Sequence, residues 1–162
     1  MAQEKKPKVF EDALRKFPQV VAVVTVGRGG AENGLTVSWA SPVSSDPLQI
    51  AIAVYERHYS NDFLRSTKSF VVNVLRADDK RLAAHFARQS FQGEDKLKGL
   101  RTREAPSGAA ILEDALAWFD CEVTGMFPVG DHVLFVGKVL DAGVLGEGEP
   151  QVTNAAVYYS TR

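Results

Sequence analysis

Short apolar runs rich in β-branched residues recur along this chain, and turn residues separate them. Residues 20–26 form one such run, which ends at Gly27-Arg28-Gly29-Gly30, a sequence typical of a turn. Residues 35–40 resume the strand pattern, and residues 70–75 and 133–140 are apolar on both faces, which predicts that both runs are covered. Many short strands and few helices predict a mostly β fold, built as a closed or partly closed β-barrel.

Residues 50–55 alternate in size as well as in direction. Ile50, Ile52 and Val54 are expected on one face and Ala51 and Ala53 on the other, because successive side chains of a strand point to opposite sides. Large side chains inside and small ones outside suit a barrel strand whose outer face is closely approached by something else.

Three short helices are predicted between the strands. The first covers residues 10–17, the second begins at Ser60 as N-cap and runs to about residue 66, and the third covers residues 80–88 behind Asp78 or Asp79. Residues 91–106 are polar and are expected to form a long loop with one helical turn at 95–98. Residues 1–162 are therefore expected to be a single domain, with 1–9 as a polar tail.

Composition excludes several classes of function. Of the 162 residues 45% are hydrophobic and 24% charged, and the net charge is -1, with no basic stripe of the kind that nucleic-acid binding requires. No apolar run approaches the roughly 18 residues that span a bilayer, and no apolar segment follows the N-terminal lysines as in a signal peptide. We therefore expect a cytoplasmic protein.

Cysteine and histidine usage gives no sign of a metal or thiol site. The single cysteine, Cys121, lies in an alternating stretch and is expected to be a buried strand residue. His58, His85 and His132 lack the spacing of metal ligands, so no metal is predicted.

Residues 34–47 carry more polarity than a strand and a turn require. Thr36 and Ser38 lie on the strand, and a serine-rich turn around two prolines follows. A planar heterocycle with amide edges needs such a lining of main-chain and hydroxyl groups above apolar area. The same pattern also fits a strand with a polar exposed face that runs into a capped turn.

Residues 57–62 mark the point where a strand gives way to a helix. The free N–H groups of the first turn, the helix dipole and the Arg57 guanidinium together suit a phosphate. An ordinary capped helix explains the same residues, and the Asp62 carboxylate could itself occupy the positive field at the start of the helix.

Residues 130–132 open the last long strand. Gly130 permits a tight turn, after which His132 would project from the strand edge and could donate a hydrogen bond to a ligand or contact a nicotinamide. A solvent-facing turn residue is the alternative.

These segments, in this order and spacing, resemble the flavin reductase-like family of FMN-binding split barrels, in its flavoredoxin and ferric reductase branch. The resemblance extends from Phe17 to about Tyr158, and Leu97 stands where that branch usually has an aromatic residue. The motifs that carry it are residues 17–25, 34–48, 57–60 with 69–75, 93–97, and 120–123 with 130–137.

The resemblance implies a homodimeric split β-barrel that binds FMN, or FAD as the alternative, in a groove between subunits. Carried over by position, the residues implied to line the ring and ribityl chain are Thr36, Ser38, Trp39, Ala40 and Ser41. Those implied to hold the phosphate are Arg57, His58, Ser60 and Asn61, with Lys96 closing over it from its loop. His132 would lie on the nicotinamide side as the residue of the reaction centre.

The implied activity is hydride transfer from NAD(P)H to flavin, as in flavin or ferric reductases. It needs little acid–base chemistry, because hydride passes directly between the stacked rings. Oxygen, ferric iron, a partner monooxygenase or another redox protein would take the electrons. Nicotinamide would bind without a Rossmann unit, since Gly27-Arg28-Gly29-Gly30 lacks that spacing. The alternative is a flavin-binding electron carrier or sensor without nicotinamide activity, and the pyridoxamine phosphate oxidase branch is weaker because its substrate-phosphate residues have no counterpart.

Overall fold

A computed structural model describes residues 7–89 and 93–154 of the chain, without the side chain of Asn154. The helices of this part are α1 (Lys8–Leu14), α2 (Ser60–Thr67) and α3 (Arg81–Ala87). The strands are β1 (Pro18–Val20), β2 (Ala22–Arg28), β3 (Ala31–Val37), β4 (Ala40–Ser45), β5 (Leu48–Tyr55), β6 (Ser69–Val74), β7 (Thr102–Glu104), β8 (Ala110–Leu112), β9 (Ala117–Val129), β10 (His132–Val144) and β11 (Val152–Asn154).

Seven antiparallel strands form one sheet in the order β3-β2-β6-β9-β10-β5-β4. The strands at its two edges, β3 and β4, are consecutive in the chain and only Ser38 and Trp39 separate them. A flat sheet would put these edges roughly 30 Å apart, whereas the connection spans roughly 10 Å at most. The sheet therefore curls until its edges approach each other, which gives the split β-barrel.

The barrel interior is packed with large apolar side chains from both halves of the sheet. Val24, Ile52, Phe70 and Phe135 are fully buried there, and Leu64 of α2 joins them. Each such side chain contributes about 1.5–3 kcal/mol to folding. The predicted inward direction of Ile50, Ile52 and Val54 is confirmed, because all belong to this core.

The outer face of the sheet is covered on one side only. Around β2, α3 and the loop that follows it pack in a second core, which contains Phe86 and Leu97. The β7–β8 hairpin covers β6 and β9 in a third core around Trp118. No such layer covers the other part of the outer face, where Phe127 and Val129 of β9 and Leu140 of β10 are about half exposed in the described chain.

Several expected elements differ from the observed ones. The first helix ends at Leu14 and not at residue 17, because the last residues before Pro18 form only turns. Residues 35–40 do not form one strand, since β3 and β4 belong to opposite edges of the sheet. The expected serine-rich turn is mostly strand β4, and the expected loop at 91–106 contains β7, while residues 91 and 92 lie outside the described part.

Coverage of both faces was predicted for two strands and holds for one. Residues 69–73 of β6 are all buried, since one face points into the barrel interior and the β7–β8 hairpin covers the other. Within the single chain β10 is covered on one face only, because Leu140 is exposed and Leu134 and Val136 are only half-buried. Within the described residues, no helix is both long and apolar enough to cross a membrane.

Candidate functional site

Three aromatic side chains meet where β5 ends and β10 begins. Tyr55 and His132 are direct partners in the β5–β10 ladder, and their ring centroids lie 5.8 Å apart. Trp39 comes from the connection between β3 and β4, where its carbonyl oxygen accepts a hydrogen bond from the Ala53 N–H, and its ring lies 4.8 Å from that of His132. We refer to Trp39, Tyr55 and His132 as the aromatic corner.

The His132 ring is held by the residue before it. Its Nδ1 lies 2.5 Å from the Asp131 Oδ1, and only 11% of the His132 side chain is exposed. Gly130 adopts a φ of +60° in the turn, which permits the tight reversal predicted from the sequence. Tyr55 was not predicted as a site residue, although its position at the end of an alternating strand could have indicated it.

Small and apolar side chains extend from the aromatic corner along the same outer face. Ala53 pairs with Leu134 and Ala51 pairs with Val136, so these four side chains point the same way as Tyr55 and His132. We call Ala51, Ala53, Leu134 and Val136 the shelf. Ala51 is 7% exposed and Ala53 is half-buried, and this is the face of β5 for which the alternation in the sequence predicted a close approach.

The residues predicted to line a ring take different positions around the shelf. Ser41 is exposed and pairs with Ala51, while Ala40 is half-buried. Ser38 is half-buried in the connection that also carries Trp39. Thr36 lies elsewhere, since its hydroxyl donates a hydrogen bond of 2.7 Å to the Ala83 carbonyl of α3.

The predicted phosphate residues lie together at the start of α2, but most of their polar groups bond within the chain. The Asn61 amide donates to the carbonyls of residues 55, 56 and 58, and Asn33 donates to the Ser60 hydroxyl over 3.3 Å. The Ser60 N–H donates to His58 Nδ1 over 3.1 Å, so that ring takes the place of a capping side chain. Arg57 differs, because its side chain is exposed and makes no contact of this kind within the described residues.

Lys96 is buried instead of lying at the surface. Its side chain is 1% exposed, and its ammonium donates to the Phe86 and Arg88 carbonyls at the end of α3. Burial lowers the pKa of Lys96, and the nearby Glu94 carboxylate acts in the opposite direction. The Lys96 ammonium is therefore hydrogen-bonded within the chain, whereas the side chain of Arg57, predicted for the same phosphate, is exposed.

Cys121 is fully buried in β9 and faces the barrel interior. Burial, with a smaller effect of Asp120, raises the pKa of its thiol to about 12. A thiol with this pKa is not a nucleophile near neutral pH, which agrees with the structural role predicted for it.

The curled seven-stranded sheet places the chain in the class of split β-barrel proteins, and the aromatic corner and the shelf lie on the outer face of that sheet. Residues 14–162 match the family model described as Flavin reductase like domain, and the chain belongs to this family. The family resemblance found in the sequence motifs is thereby confirmed.

Two relatives differ in how much of their length the chain covers. Actinorhodin polyketide dimerase of Streptomyces coelicolor is 34% identical over 145 residues, which is 89% of this chain and 80% of that protein. Diflavin flavoprotein A 1 of Nostoc sp. is 31% identical over 131 residues, which is 80% of this chain and 23% of that protein. The chain thus spans about a quarter of the length of the diflavin flavoproteins that it matches.

Among solved structures, NADH:FAD oxidoreductase SgcE6 of Streptomyces globisporus C-1027 has the same fold. Its TM-score is 0.84 at 28% identity, over 95% of this chain and 93% of that one. A second structure of that enzyme, in complex with NAD and FAD fragments, gives a TM-score of 0.82 at 27% identity over 95% of this chain and 92% of that one.

Proposed function

We propose that this chain is an NAD(P)H-dependent flavin reductase that binds its flavin on the shelf. The observation that carries the proposal is the aromatic corner, which ends a sheet face of small side chains in a chain of the flavin reductase-like family. FMN is the flavin that the sequence motifs imply, and FAD is the alternative, since SgcE6 is an NADH:FAD oxidoreductase.

The shelf suits the isoalloxazine ring. A tricyclic ring needs flat apolar area beneath it and polar groups along its rim. Ala51 and Ala53 supply the flat area, and the exposed Ser41 with the Ser38–Trp39 connection supplies hydroxyl and main-chain groups beside it. Two predicted lining residues are exceptions. The Thr36 hydroxyl is already bonded to α3, and Ala40 pairs with Ile52 and packs against the barrel core.

Fewer residues are available to bind the flavin phosphate than the resemblance implied. Ser60 and Asn61 build the turn into α2 through bonds within the chain, so we assign them to shaping the site. The exposed Arg57 guanidinium remains as the charged group, and guanidinium forms strong two-point hydrogen bonds with phosphate oxygens. We propose that Arg57 is the principal phosphate contact and that His58 supports it by holding the Ser60 N–H.

The protein's part in the reaction is to hold two rings against each other. Flavin bound at this site supplies the acceptor for the hydride of the reduced nicotinamide. Trp39 and Tyr55 fix the position of the His132 imidazole, and the Asp131 carboxylate orients it through Nδ1. We propose that His132 contacts the nicotinamide. Correct placement of reacting groups is itself a large source of rate acceleration.

We further propose that the chain acts in the cytoplasm as a single-domain homodimer and passes electrons to a small-molecule acceptor, a monooxygenase or another redox protein. The half-exposed Phe127, Val129 and Leu140 on the shelf's face support pairing with a second copy.

Anaerobic reduction of the purified protein tests the activity. We expect the chain to bind added FMN and, with NADH or NADPH, to bleach the flavin absorbance stoichiometrically within seconds. A flavin that stays oxidised with both nicotinamides but accepts electrons from a reduced redox protein would identify an electron carrier instead. Protein that binds neither FMN nor FAD at high micromolar concentration would exclude the proposed function.

A further inference from the structure

The ammonium of Lys96 is buried without an ion pair in the described part of the chain. Its side chain is 1% exposed, and its two hydrogen-bond acceptors are main-chain carbonyls, of Phe86 at 3.4 Å and of Arg88. The Glu94 carboxylate near it is hydrogen-bonded to the Arg88 side chain at 3.3 Å. Burial of a charge is costly unless the surrounding groups compensate it, so this position calls for a reason other than stability alone.

Lys96 joins two segments by contacts that run in both directions. Its side chain binds carbonyls at the end of α3, and its own carbonyl oxygen lies 2.7 Å from Nε2 of His85 on α3. The next residue, Leu97, packs with Phe86 in the same apolar core. We call these reciprocal bonds of Lys96 and His85 the α3 clamp, because they fix the loop to the last turn of α3.

The helix held by the α3 clamp lies directly on β3. A Cβ atom on Gly34 would come within 2.5 Å of the Phe86 ring, so ring and strand backbone are in close contact. Two residues further along β3, the Thr36 hydroxyl donates to the Ala83 carbonyl over 2.7 Å. Just beyond Thr36 and Val37, β3 ends in the connection that carries Ser38 and Trp39.

We propose that Lys96 is a positioning residue for the flavin site, which acts through α3 and β3 on the Ser38–Trp39 connection and makes no contact with the flavin phosphate. The inference rests on the proposed function. The contacts form a continuous path of packed and hydrogen-bonded groups: Lys96 to the end of α3, Phe86 and Ala83 to β3, and β3 to Trp39. Loosening α3 therefore changes the aromatic corner without removing any group from it.

A comparison of FMN with riboflavin separates the two roles of Lys96. Lys96→Met keeps the length of the side chain and removes its donors, and Lys98→Met is the control because Lys98 is an exposed lysine of the same loop. We expect Lys96→Met to raise the dissociation constants of FMN and riboflavin by the same factor, roughly 2- to 30-fold, the range typical of residues that act through a network. Lys98→Met should change neither.

Loss of FMN affinity alone, with riboflavin binding intact, would show a direct phosphate contact and overturn the proposal. Unchanged affinity for both flavins would overturn it as well. His85→Leu is the second variant, since it removes the other half of the α3 clamp from a half-buried position. It should reproduce the equal loss even if Lys96→Met does not fold.

Hydrogen exchange in the absence of flavin tests the role of Lys96 independently of the proposed function. Amides of residues 34–37 should exchange faster in Lys96→Met than in the unsubstituted protein or in Lys98→Met. Unchanged exchange there would contradict the path through β3. Faster exchange in a chain that binds no flavin would show that the α3 clamp holds β3 and that the proposed function is wrong.

Discussion

At the scale of single residues, Arg57 is the accessible cation at the start of α2. Arg57→Ala should weaken FMN binding by about 1.5–3 kcal/mol, which is the contribution of a hydrogen bond to a charged group. Riboflavin binding should not change, because riboflavin lacks the phosphate. Fluorescence titration with both flavins measures the two dissociation constants. Arg65→Ala is the control because Arg65 is exposed on α2, the helix that follows Arg57. Equal loss for both flavins would contradict a phosphate role.

His132 belongs to the nicotinamide side in the proposed function, so its loss should separate binding from reaction. His132→Ala should leave the FMN dissociation constant near its original value and slow anaerobic flavin reduction about 10- to 100-fold, because small misplacements of reacting groups have effects of this size. Stopped-flow absorbance measures the rate. Lys138→Ala, an exposed residue on the same face of β10, should leave the rate unchanged. Loss of FMN binding in His132→Ala would assign the residue to the flavin instead.

The sequence pattern could propose these residues for a site but could not assign their hydrogen-bond partners. The rings of His132 and Trp39 lie 4.8 Å apart, although His132 was predicted for the nicotinamide side and Trp39 for the flavin ring. Ser60, Asn61 and Lys96 have the residue types of phosphate ligands, yet each bonds to groups of the chain. These bonds join residues up to 27 positions apart, such as Asn33 and Ser60, so no local pattern reveals them.

At the scale of elements, three segments bring carboxylates together at the far end of β3. Burial, Asp95 of the loop and Glu104 of β7 together raise the pKa of Glu32, in that order of effect. The folded state therefore favours protonated Glu32. This contribution to stability is fully present below its ordinary pKa of 4.5 and is lost as the pH rises through the raised value.

Glu32→Gln should consequently stabilise the protein at pH 7 and have no effect near pH 4. The gain is limited to about 0.5 kcal/mol because the side chain is partly solvated, and this corresponds to an increase in Tm of about 1–2 °C. Thermal unfolding at the two pH values measures it. Glu122→Gln on the exposed part of β9 is the control, and an equal gain at both pH values would show that charge repulsion is not the cause.

Strands with strong apolar patterns could be predicted, and short or polar ones could not. β2, β5, β6 and β10 each overlap the residues expected for them, because their side chains fill the core. β10 continues to Val144, beyond the expected end at residue 140. β4 and β7 are polar and mostly exposed, and they form because partner strands supply hydrogen bonds to their backbone. Such pairing depends on the closure of the sheet, which a local pattern does not contain.

At the scale of the whole molecule, the proposed association with a second copy rests on exposed apolar side chains beside the shelf. Phe127 pairs with Leu134 and Val129 with His132, so both lie beside the shelf, and Leu140 is exposed further along β10, at an irregularity of the β9–β10 ladder. Water contact with these half-exposed side chains is unfavourable at roughly 25 cal/mol per Å² of apolar area. A second copy that covers this face would also enclose a ring on the shelf, so dimerisation and flavin binding should depend on each other.

Leu140→Lys tests this dependence. A lysine in an apolar interface leaves a charge without a partner, so we expect the variant to be a monomer by light scattering and to bind FMN at least tenfold more weakly. Leu140 lies eight residues along β10 from His132, so the substitution should not affect the aromatic corner directly. If loss of the dimer is the cause, the affinity for FMN should recover at high protein concentration. Thr102→Lys adds the same charge to exposed β7 and should remain a dimer with full affinity. A Leu140→Lys monomer that binds FMN as tightly as the original protein would separate the flavin site from the interface and confine it to one chain.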